Sequence, residues 1–260
     1  MRRWLSWTAL VLVFSVACGF LANWQFNRRE ARVQSIELVK SNYSREPIAL
    51  EDSLRAGRFD LPNYTWRPIL IQGSYLSSKL LLVRNRPNNG QPGFEQLVPF
   101  RTVDGETVFV SRGWLPTGEV QDSPDTNPPP IEGLVEIKAR ILKAEPRLER
   151  TAPAGQLASI NIELANENLQ TFAIENGYLR LDSENGKPPF GLKKMPSPSI
   201  DEGNNLSYAL QWILFALMAS FALVWRIRKD RALATGQTQT KKTSRTQIDE
   251  EIEDSITTAR

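Results

Sequence analysis

Two turns rich in arginine carry side chains that can bind an anionic ligand. Arg84 and Arg86 lie in the segment VRNRPNNGQPGFE, and Arg112 lies in VSRGWLP further along the chain. A hairpin between the two segments brings the three arginines near each other. Because guanidinium groups bind carboxylates or propionates bidentately, and the neighbouring tryptophan offers a flat apolar face, one interpretation is a ligand site. The alternative is that these arginines pair with Glu95 or Glu106 and brace the end of their domain.

A second set of residues lies at the start of the last apolar segment. Tyr208, Gln211 and Trp212 are spaced by three and four residues, which places them on one face of a helix. Gln211 lies one turn inside the apolar segment, so its amide is expected to face a protein partner or a cofactor. The alternative is an ordinary aromatic belt with one interfacial amide.

The residue types that most enzymes use are missing from the sequence. The chain has no histidine, and its one cysteine, Cys18, lies in the first apolar segment. This removes the usual general base, the commonest metal and haem ligand, and a thiol nucleophile outside that segment. No nucleophile elbow, phosphate-binding loop or dinucleotide fingerprint occurs. We therefore expect neither enzymatic activity nor a metal site; a carboxylate-pair hydrolase is the alternative that spacing alone leaves open.

Two apolar segments predict transmembrane helices. The charge-free stretches run over 4–27 and 203–225, and aromatic residues border both. A helix needs about 20 apolar residues to cross the hydrocarbon core, so we predict transmembrane helices over 4–24 and 205–225. The alternatives are a cleaved signal peptide for the first, because a short basic stretch precedes it, and a buried helix for the second.

The positive charges beside these helices predict the orientation. Basic residues near helix ends are retained in the cytoplasm, and four of them follow the second helix: Arg226, Arg228, Lys229 and Arg231. We therefore predict a multi-pass protein of the cell (plasma) membrane with both termini cytoplasmic. Residues 1–3 and the polar, disordered tail 226–260 lie inside, and 25–204 lie outside. The net charge of +3 comes from these ends, so no nucleic-acid partner is expected.

The segment between the helices has the texture of short β-strands. Helices are predicted over 25–40, continuing the first span, and around Leu50–Ala56 and Glu163–Ile174. The predicted strands are rich in Val, Ile, Leu and Phe and are separated by Gly, Pro and Asn clusters: Trp66–Tyr75, Lys79–Asn85, Glu95–Arg101, Thr107–Arg112, Leu134–Leu142, Ala158–Ile162 and Tyr178–Leu181. Their short spacing predicts an extracytoplasmic, mainly antiparallel, barrel-like β-domain with minor helices.

Four segments, in order, resemble the surfeit locus protein 1 family of cytochrome c oxidase assembly factors. They are WQFNRREAR after the first helix, GSYL…LLVRNRPNNGQPGFEQLVPF, VFVSRGWLP, and NLSYALQWILFAL at the second helix. The resemblance covers nearly the whole chain and leaves out only the polar tail. The positions that match the family's motifs are Trp24, Gln25, Arg28 or Arg29, Gly73, Tyr75, Arg112, Gly113, Trp114, Tyr208, Ala209 and Trp212.

The resemblance implies a membrane-bound assembly factor for haem-a-containing cytochrome c oxidase, which assists haem a insertion or maturation of the large subunit. It implies haem a as the cofactor, and the large subunit, other assembly factors and the lipid bilayer as partners. The alternative function is a generic two-span envelope protein whose β-domain binds a ligand or a partner. The resulting candidate contacts to haem or a partner are Trp24, Gln25, Arg84, Arg86, Arg112, Trp114, Asn205, Tyr208, Gln211 and Trp212.

One position departs from the family pattern. Many members carry a histidine just before the leucine that opens the second helix, and here that position is Asn205. An amide is a poor iron ligand, so axial histidine ligation is not available to this chain. Either haem is held without that bond, or a partner supplies the ligand, or the chain does not bind haem.

Overall fold

The structure, a computed structural model, describes residues 2–234, and the chain divides into two compact units. The helical unit comprises Met1–Val33 and Glu202–Arg260, and the sheet unit comprises Gln34–Asp201. The part of the predicted disordered tail from residue 235 onward lies outside the described residues.

Two long helices, α1 (Arg2–Asn42) and α4 (Asn205–Ala234), are long and apolar enough to cross a membrane. Only 11% and 6% of their most apolar stretches are buried within the protein, so most of these apolar side chains are exposed. Length and composition make both helices candidate membrane spans, and α1 also meets the description of a signal sequence. The predicted helix over 25–40 is confirmed as part of α1, and α4 continues through 226–234.

Short strands separated by turns make up most of the sheet unit. Within residues 34–201 the strands are β1 (Leu54–Arg55), β2 (Arg58–Phe59), β3 (Pro68–Tyr75), β4 (Leu81–Val83), β5 (Gly93–Thr102), β6 (Thr107–Pro116), β7 (Val135–Lys143), β8 (Gln156–Leu157) and β9 (Gly177–Glu184). The helices there are α2 (Leu61–Tyr64), α3 (Ile162–Leu169) and two 3-10 turns, Glu51–Ser53 and Ser77–Lys79. The prediction of a helix around Leu50–Ala56 is thus reduced to a single turn that leads into β1.

Seven of these strands form one sheet in the order β3-β7-β9-β6-β5-β4-β8, and β1 and β2 form a separate hairpin. Two pairings in the larger sheet are parallel, β6 with β9 and β4 with β8. A further pairing of β3 with β5 is confined to three residue pairs and leaves β4 and β8 outside it. The sheet is therefore mixed and is not a closed barrel, and the prediction of a mainly antiparallel, barrel-like domain was wrong. Direction of pairing depends on chain segments far apart in sequence, which local spacing does not record.

Both faces of the sheet are covered by apolar side chains. One core contains Val98, Phe100, Val108 and Val110, and the other contains their chain neighbour Phe109 with residues of β4, β8 and α3. Successive side chains of a strand point to opposite faces, so neighbours fall into different cores. Strands β5 and β6 are consequently buried along almost their whole length, which explains their continuous apolar runs.

Strand β6 contains a β-bulge at Arg112. On the partner strand β5, Gln96 pairs with Gly113 and Leu97 pairs with Ser111, which leaves Arg112 as the extra residue. A bulge bends the strand and re-aims the side chain that it carries. The bulge therefore sets the direction of the Arg112 side chain, which is fully buried because both faces of β6 are covered.

Strand β9 contains a second bulge, at Asp182. On β7, Lys138 pairs with Ser183 and Ala139 pairs with Leu181, so Asp182 is the extra residue. Beyond it the alternation of faces is shifted, and Glu184 is buried with 2% exposure. Strict alternation would place Glu184 on the same side as Asp182, which is only partly buried.

Helix α3 replaces the end of one predicted strand. The prediction of a strand over Ala158–Ile162 was wrong, because the short β8 ends at Leu157 and α3 begins at Ile162. The Asn161 side chain caps this helix by accepting a hydrogen bond from the Leu164 backbone at 2.8 Å. The helix ends at Leu169, earlier than predicted, because Gln170 adopts a left-handed conformation (φ 50°). The other predicted strands are confirmed, with ends shifted by a few residues.

Candidate functional site

A buried ion pair joins β6 to β9 inside the sheet. The Arg112 Nε atom lies 2.8 Å from the Glu184 Oε1 atom, and Arg112 Nη2 donates to Glu184 Oε2 at 3.2 Å. Both side chains are 1% exposed. A bidentate guanidinium–carboxylate pair satisfies both charges where water is excluded. Arg112 is therefore not available to a ligand carboxylate unless this pair breaks.

Gln96 of β5 links this ion pair to the proline-rich loop before β7. Arg112 Nη1 donates to the Gln96 side-chain oxygen. In turn, Gln96 Nε2 donates to Asn127 Oδ1 at 2.7 Å and to the Pro128 carbonyl at 2.9 Å. Every polar group of the Gln96 amide is thus used within the protein, and the loop is held against the sheet.

Two buried tyrosines lie near buried charges, Tyr75 near the Arg112–Glu184 pair and Tyr178 near Glu95. Burial and the charge of Glu184 raise the pKa of Tyr75 above its ordinary value, although Arg112, 5.3 Å from the ring centre, opposes the rise. The Tyr75 hydroxyl makes no hydrogen bond of normal geometry. Burial and the charge of Glu95 likewise raise the pKa of Tyr178. Both phenols therefore stay neutral in the folded protein well above neutral pH.

A second buried cluster surrounds Glu95 of β5. Its carboxylate accepts a hydrogen bond from Ser111 Oγ at 2.7 Å and lies 3.4 Å from Arg86 Nε. Arg86 Nη2 donates to Glu145 Oε2 at 2.6 Å. Burial by itself lowers the pKa of Arg86, but the hydrogen bond to Glu145 and the charge of Glu95 raise it overall. Arg86 is thus a permanently charged link between two carboxylates.

Trp114 is enclosed rather than open to a ligand. The residue is 1% exposed, and its Nε1 atom donates to the Arg86 carbonyl at 2.5 Å. Its backbone pairs with Lys193 in both directions, at 2.8 and 2.9 Å, and the Lys193 ammonium lies 5.2 Å from the ring centre. The flat apolar face that the sequence offers to a ligand is therefore occupied by the protein itself.

Arg84 differs from the other two arginines in the exposure of its partner. It donates to Gln156 Oε1 at 3.1 Å and forms an ion pair with Asp122. The Arg84 side chain is 21% exposed and the Asp122 side chain 72%. Breaking an ion pair with an exposed carboxylate costs little free energy, so an external carboxylate can replace Asp122 as the partner of Arg84.

The structure does not gather the three arginines onto one ligand position. Arg84, Arg86 and Arg112 each pair with different carboxylates, and within residues 2–234 Glu106 has no arginine ion pair. The geometry favours the bracing interpretation for Arg86, which contacts Glu95 as that alternative states, and for Arg112.

The candidate residues of the helical unit differ in exposure. Trp24 and Tyr208 are 52% and 50% exposed, and Gln211 is also exposed. Trp212 is half-buried and packs edge-on against Phe215, with 5.8 Å between ring centres. Gln25 is half-buried, and its side-chain oxygen has no hydrogen-bond partner. Tyr208 and Gln211 thus present polar atoms to the surroundings of the helix.

The Asn205 side chain is hydrogen-bonded within the turn that precedes α4. Its side-chain amide donates to the Glu202 carbonyl at 3.5 Å, and the Glu202 carboxylate pairs with Arg29 of α1 at 2.8 Å. This ion pair joins α1 to the segment that leads into α4. Since the Asn205 amide is turned toward its own backbone, it does not fit the role of a haem iron ligand.

No metal-binding group appears among the described residues. Within residues 2–234, no three His, Cys, Asp or Glu side chains are arranged to hold a metal ion.

The sequence interpretation did not find Glu184, Gln96 and Glu145, which complete the buried clusters. Glu184 follows YLRLDS, where alternation predicts an outward side chain. Only the bulge at Asp182 turns it inward, and bulges leave no reliable pattern in a single sequence. Gln96 gives a weaker signal, as an amide inside the apolar run of β5.

Removing the Tyr75 hydroxyl should make the protein more resistant to alkali. Because the pKa of Tyr75 is raised in the folded state, the unfolded chain loses the phenol proton near pH 10 while the folded chain keeps it. The stability contributed by this group is thus complete below pH 10 and declines above it. We expect wild type to lose about 1.4 kcal/mol more per pH unit above pH 10 than Tyr75→Phe.

Denaturant unfolding of the full chain between pH 8 and 11.5 measures this difference. At neutral pH the variant should be about as stable as wild type, because the hydroxyl makes no hydrogen bond of normal geometry. Equal pH slopes for the two proteins would contradict the prediction.

Comparison with known proteins finds a family whose match begins in α1, covers the sheet unit and ends in α4. A model of the SURF1 family matches residues 12–217. An uncharacterised SURF1-like protein of Mycobacterium tuberculosis is 30% identical over 230 residues, which cover 85% of this chain and 82% of the relative. Surfeit locus protein 1 of Homo sapiens is 28% identical over 160 residues, 55% of this chain and 51% of the relative. A SURF1-like protein of Dictyostelium discoideum is 26% identical over 110 residues, 40% of this chain and 41% of the relative.

Proposed function

The chain belongs to the SURF1 family, as its resemblance to surfeit locus protein 1 predicts, and from this premise we propose that it is a membrane-bound assembly factor for haem-a-containing cytochrome c oxidase. The observation that carries the proposal is the family match, which begins in α1, crosses the whole sheet unit and ends in α4. We propose further that α1 and α4 lie in the plasma membrane, with both termini cytoplasmic and the sheet unit outside.

The sheet unit supports a binding role rather than catalysis. Its buried carboxylates Glu95 and Glu184 are held by arginines and a serine hydroxyl, so neither is free to act as a general acid or base. We propose that this unit serves as a rigid scaffold. A hydrolase would need a carboxylate pair facing a substrate, which these contacts do not supply.

The exposed amide of Gln211 supports a partner within the membrane. Its side chain makes no hydrogen bond within residues 2–234, and apolar side chains surround it, such as Leu210 and Leu214, which are 55% and 53% exposed. An unsatisfied amide in hydrocarbon costs several kcal/mol, so it is expected to bond to another helix. We propose that this helix belongs to the oxidase large subunit, which carries the haem.

We propose that the chain acts on haem a insertion without ligating the iron itself. Asn205 occupies the position of the family's ligand and bonds to its own turn. A partner that holds the large subunit in an open conformation needs no iron ligand of its own. Arg84, with its exchangeable partner Asp122, is the arginine we expect to meet a haem propionate if one approaches the sheet unit.

Deleting the gene and recording the haem a absorbance of the membranes tests this proposal. We expect a clear loss of haem a signal that the wild-type gene restores. The Gln211→Leu variant should restore it only in part. Ser220→Ala is the matched control, because the Ser220 hydroxyl bonds to the Ala216 carbonyl of its own helix at 2.8 Å and should not matter to a partner.

Normal haem a content after deletion would instead support the second candidate, a two-span envelope protein whose β-domain binds another ligand or partner. That candidate predicts no respiratory defect. It is favoured by the ion pairs of Arg86 with Glu145 and of Arg112 with Glu184, which leave neither guanidinium group open to a haem propionate.

A further inference from the structure

A cavity lies between the first turns of α1 and the last turns of α4, within the helical unit. Its volume is about 440 Å³, and three tryptophans line it, Trp4 and Trp7 from α1 and Trp225 from α4. Small residues of α4, Ala219 and Ala222, also line it. The interior is therefore mainly apolar, with broad aromatic surfaces, and is large enough for part of a small molecule.

The otherwise apolar lining of this cavity includes a cationic side chain, Arg226, on its solvent-exposed side. Arg226 lines the cavity, and its side chain is 59% exposed. Its carboxylate neighbour is Asp230, also in the lining, at 3.5 Å. The Lys229 ammonium lies 5.2 Å from the centre of the Trp225 ring. Asp230 is thus outnumbered by Arg226 and Lys229, and the rim of the cavity, formed by these three residues, is positively charged.

The sequence adds further positive charge at the same ends of the two helices. Arg2 and Arg3 precede Trp4, and Arg228 and Arg231 lie in the last turns of α4. A basic cluster beside a membrane helix attracts anionic lipids, and basic pockets between helices bind their head groups. Tryptophan rings favour the level of the lipid head groups, where one side of the ring is apolar and the other is wet.

We propose that this cavity binds an anionic phospholipid, with the phosphodiester at Arg226 and the upper part of one acyl chain against the three tryptophans. The assignment rests on the proposed membrane position of α1 and α4. Two properties of the site point to a lipid rather than to a free anion. The apolar walls offer nothing to inorganic phosphate, and the cationic rim does not suit a purely apolar molecule.

The contact between Arg226 and Asp230 predicts in which direction lipid affinity changes when the Asp230 charge is removed. Asp230 competes with the phosphodiester for the same guanidinium and repels the negative head group. Removing its charge should therefore strengthen lipid binding. If Arg226 and Asp230 only stabilised the helix end as an i,i+4 pair, removing either charge would leave lipid affinity unchanged.

The test uses the full-length protein in a neutral detergent, with phosphatidylglycerol and phosphatidylcholine of the same acyl chains titrated and bound lipid counted by native mass spectrometry. Arg226→Gln should weaken phosphatidylglycerol binding about fivefold. Arg228→Gln is the matched control: it removes the same charge two residues further along α4, at a position that does not line the cavity, and should change the affinity less than twofold. Asp230→Asn should increase the affinity.

Several results would overturn the assignment. Equal losses in Arg226→Gln and Arg228→Gln would mean diffuse attraction to a basic helix end. Equal affinities for the two lipids would remove the role of the head-group charge. Competition by millimolar inorganic phosphate would point to a simple anion site. Because the measurement needs no oxidase, its failure leaves the assembly function standing, and a normal haem a content in the deletion strain leaves the lipid site standing.

Discussion

Replacing Arg112 with alanine is expected to lower the free energy of unfolding by about 3–5 kcal/mol. The change leaves the Glu184 carboxylate buried, with 1% exposure, and without the guanidinium that neutralises it. It also removes a donor to Gln96, whose amide holds Asn127 and Pro128 of the following loop. An unpaired buried charge of this kind is among the most destabilising single changes in a protein.

Urea unfolding of the full chain in detergent, followed by tryptophan fluorescence, measures this loss. Arg147→Ala is the matched control, since Arg147 pairs with Glu167 at 3.3 Å on the surface, with exposures of 56% and 52%. An exposed pair contributes about 1 kcal/mol at most. A similar loss in the two variants would show that burial of the Arg112–Glu184 pair does not set its contribution.

The double variant Arg112→Met, Glu184→Leu separates pairing from burial. Because it removes both charges and keeps apolar volume, it should unfold at a higher urea concentration than Arg112→Ala. A double variant less stable than the single one would mean that the ion pair itself, rather than the unpaired carboxylate, accounts for the loss.

Replacing Gly73 with alanine is the second large effect, with an expected loss of about 3 kcal/mol. Gly73 lies in β3 where this strand meets β5, and it pairs there with Thr102. A Cβ atom at this position would overlap the Arg101 carbonyl oxygen and lie 2.6 Å from the Phe100 ring. The nearest group is backbone inside a paired strand, so it cannot move aside as a flexible side chain would.

Gly19→Ala provides the comparison for this substitution. A Cβ atom at Gly19 meets no atom within 4 Å, and the residue lies inside α1. Alanine is favoured over glycine in a helix by up to about 1 kcal/mol, so this variant should not be less stable than wild type. The same fluorescence-detected unfolding measures both. A Gly73→Ala protein as stable as wild type would show that β3 and β5 separate easily.

The longer helices and strands of this fold were largely predictable because local sequence patterns indicate them, whereas the short β1, β2 and α2 were not predicted. The charge-free stretch 4–27 lies within α1, and the stretch 203–225 begins just before α4 and continues into it. Apolar runs bounded by turn residues correspond to β3, β5, β6 and β7. What was not predictable is which strands lie side by side. The parallel pairing of β6 with β9 joins segments about 70 residues apart, and no local period encodes that choice.

The residue types of the candidate site were predictable from the sequence, but most of the ion pairs between its side chains were not. Arg86 and Glu95 were recognised as possible partners from the sequence, and the structure pairs them. The partner of Arg112 was missed because Glu184 owes its inward direction to the bulge at Asp182. That bulge reverses the inside–outside alternation on which the prediction for β9 depends.

The position of β9 in the sheet has a consequence for how the chain is made. Synthesis delivers β3 to β7 first, yet β9 lies between β7 and β6 and is the last strand to appear. Until then the edges of β7 and β6 that β9 will pair with are unsatisfied, and Arg112 lacks its counter-charge, which lies 72 residues further along the chain. A nascent chain in this state exposes strand edges that attract other chains. We therefore expect release of this protein from the ribosome or translocon before residue 184 to give aggregation rather than a partly folded domain.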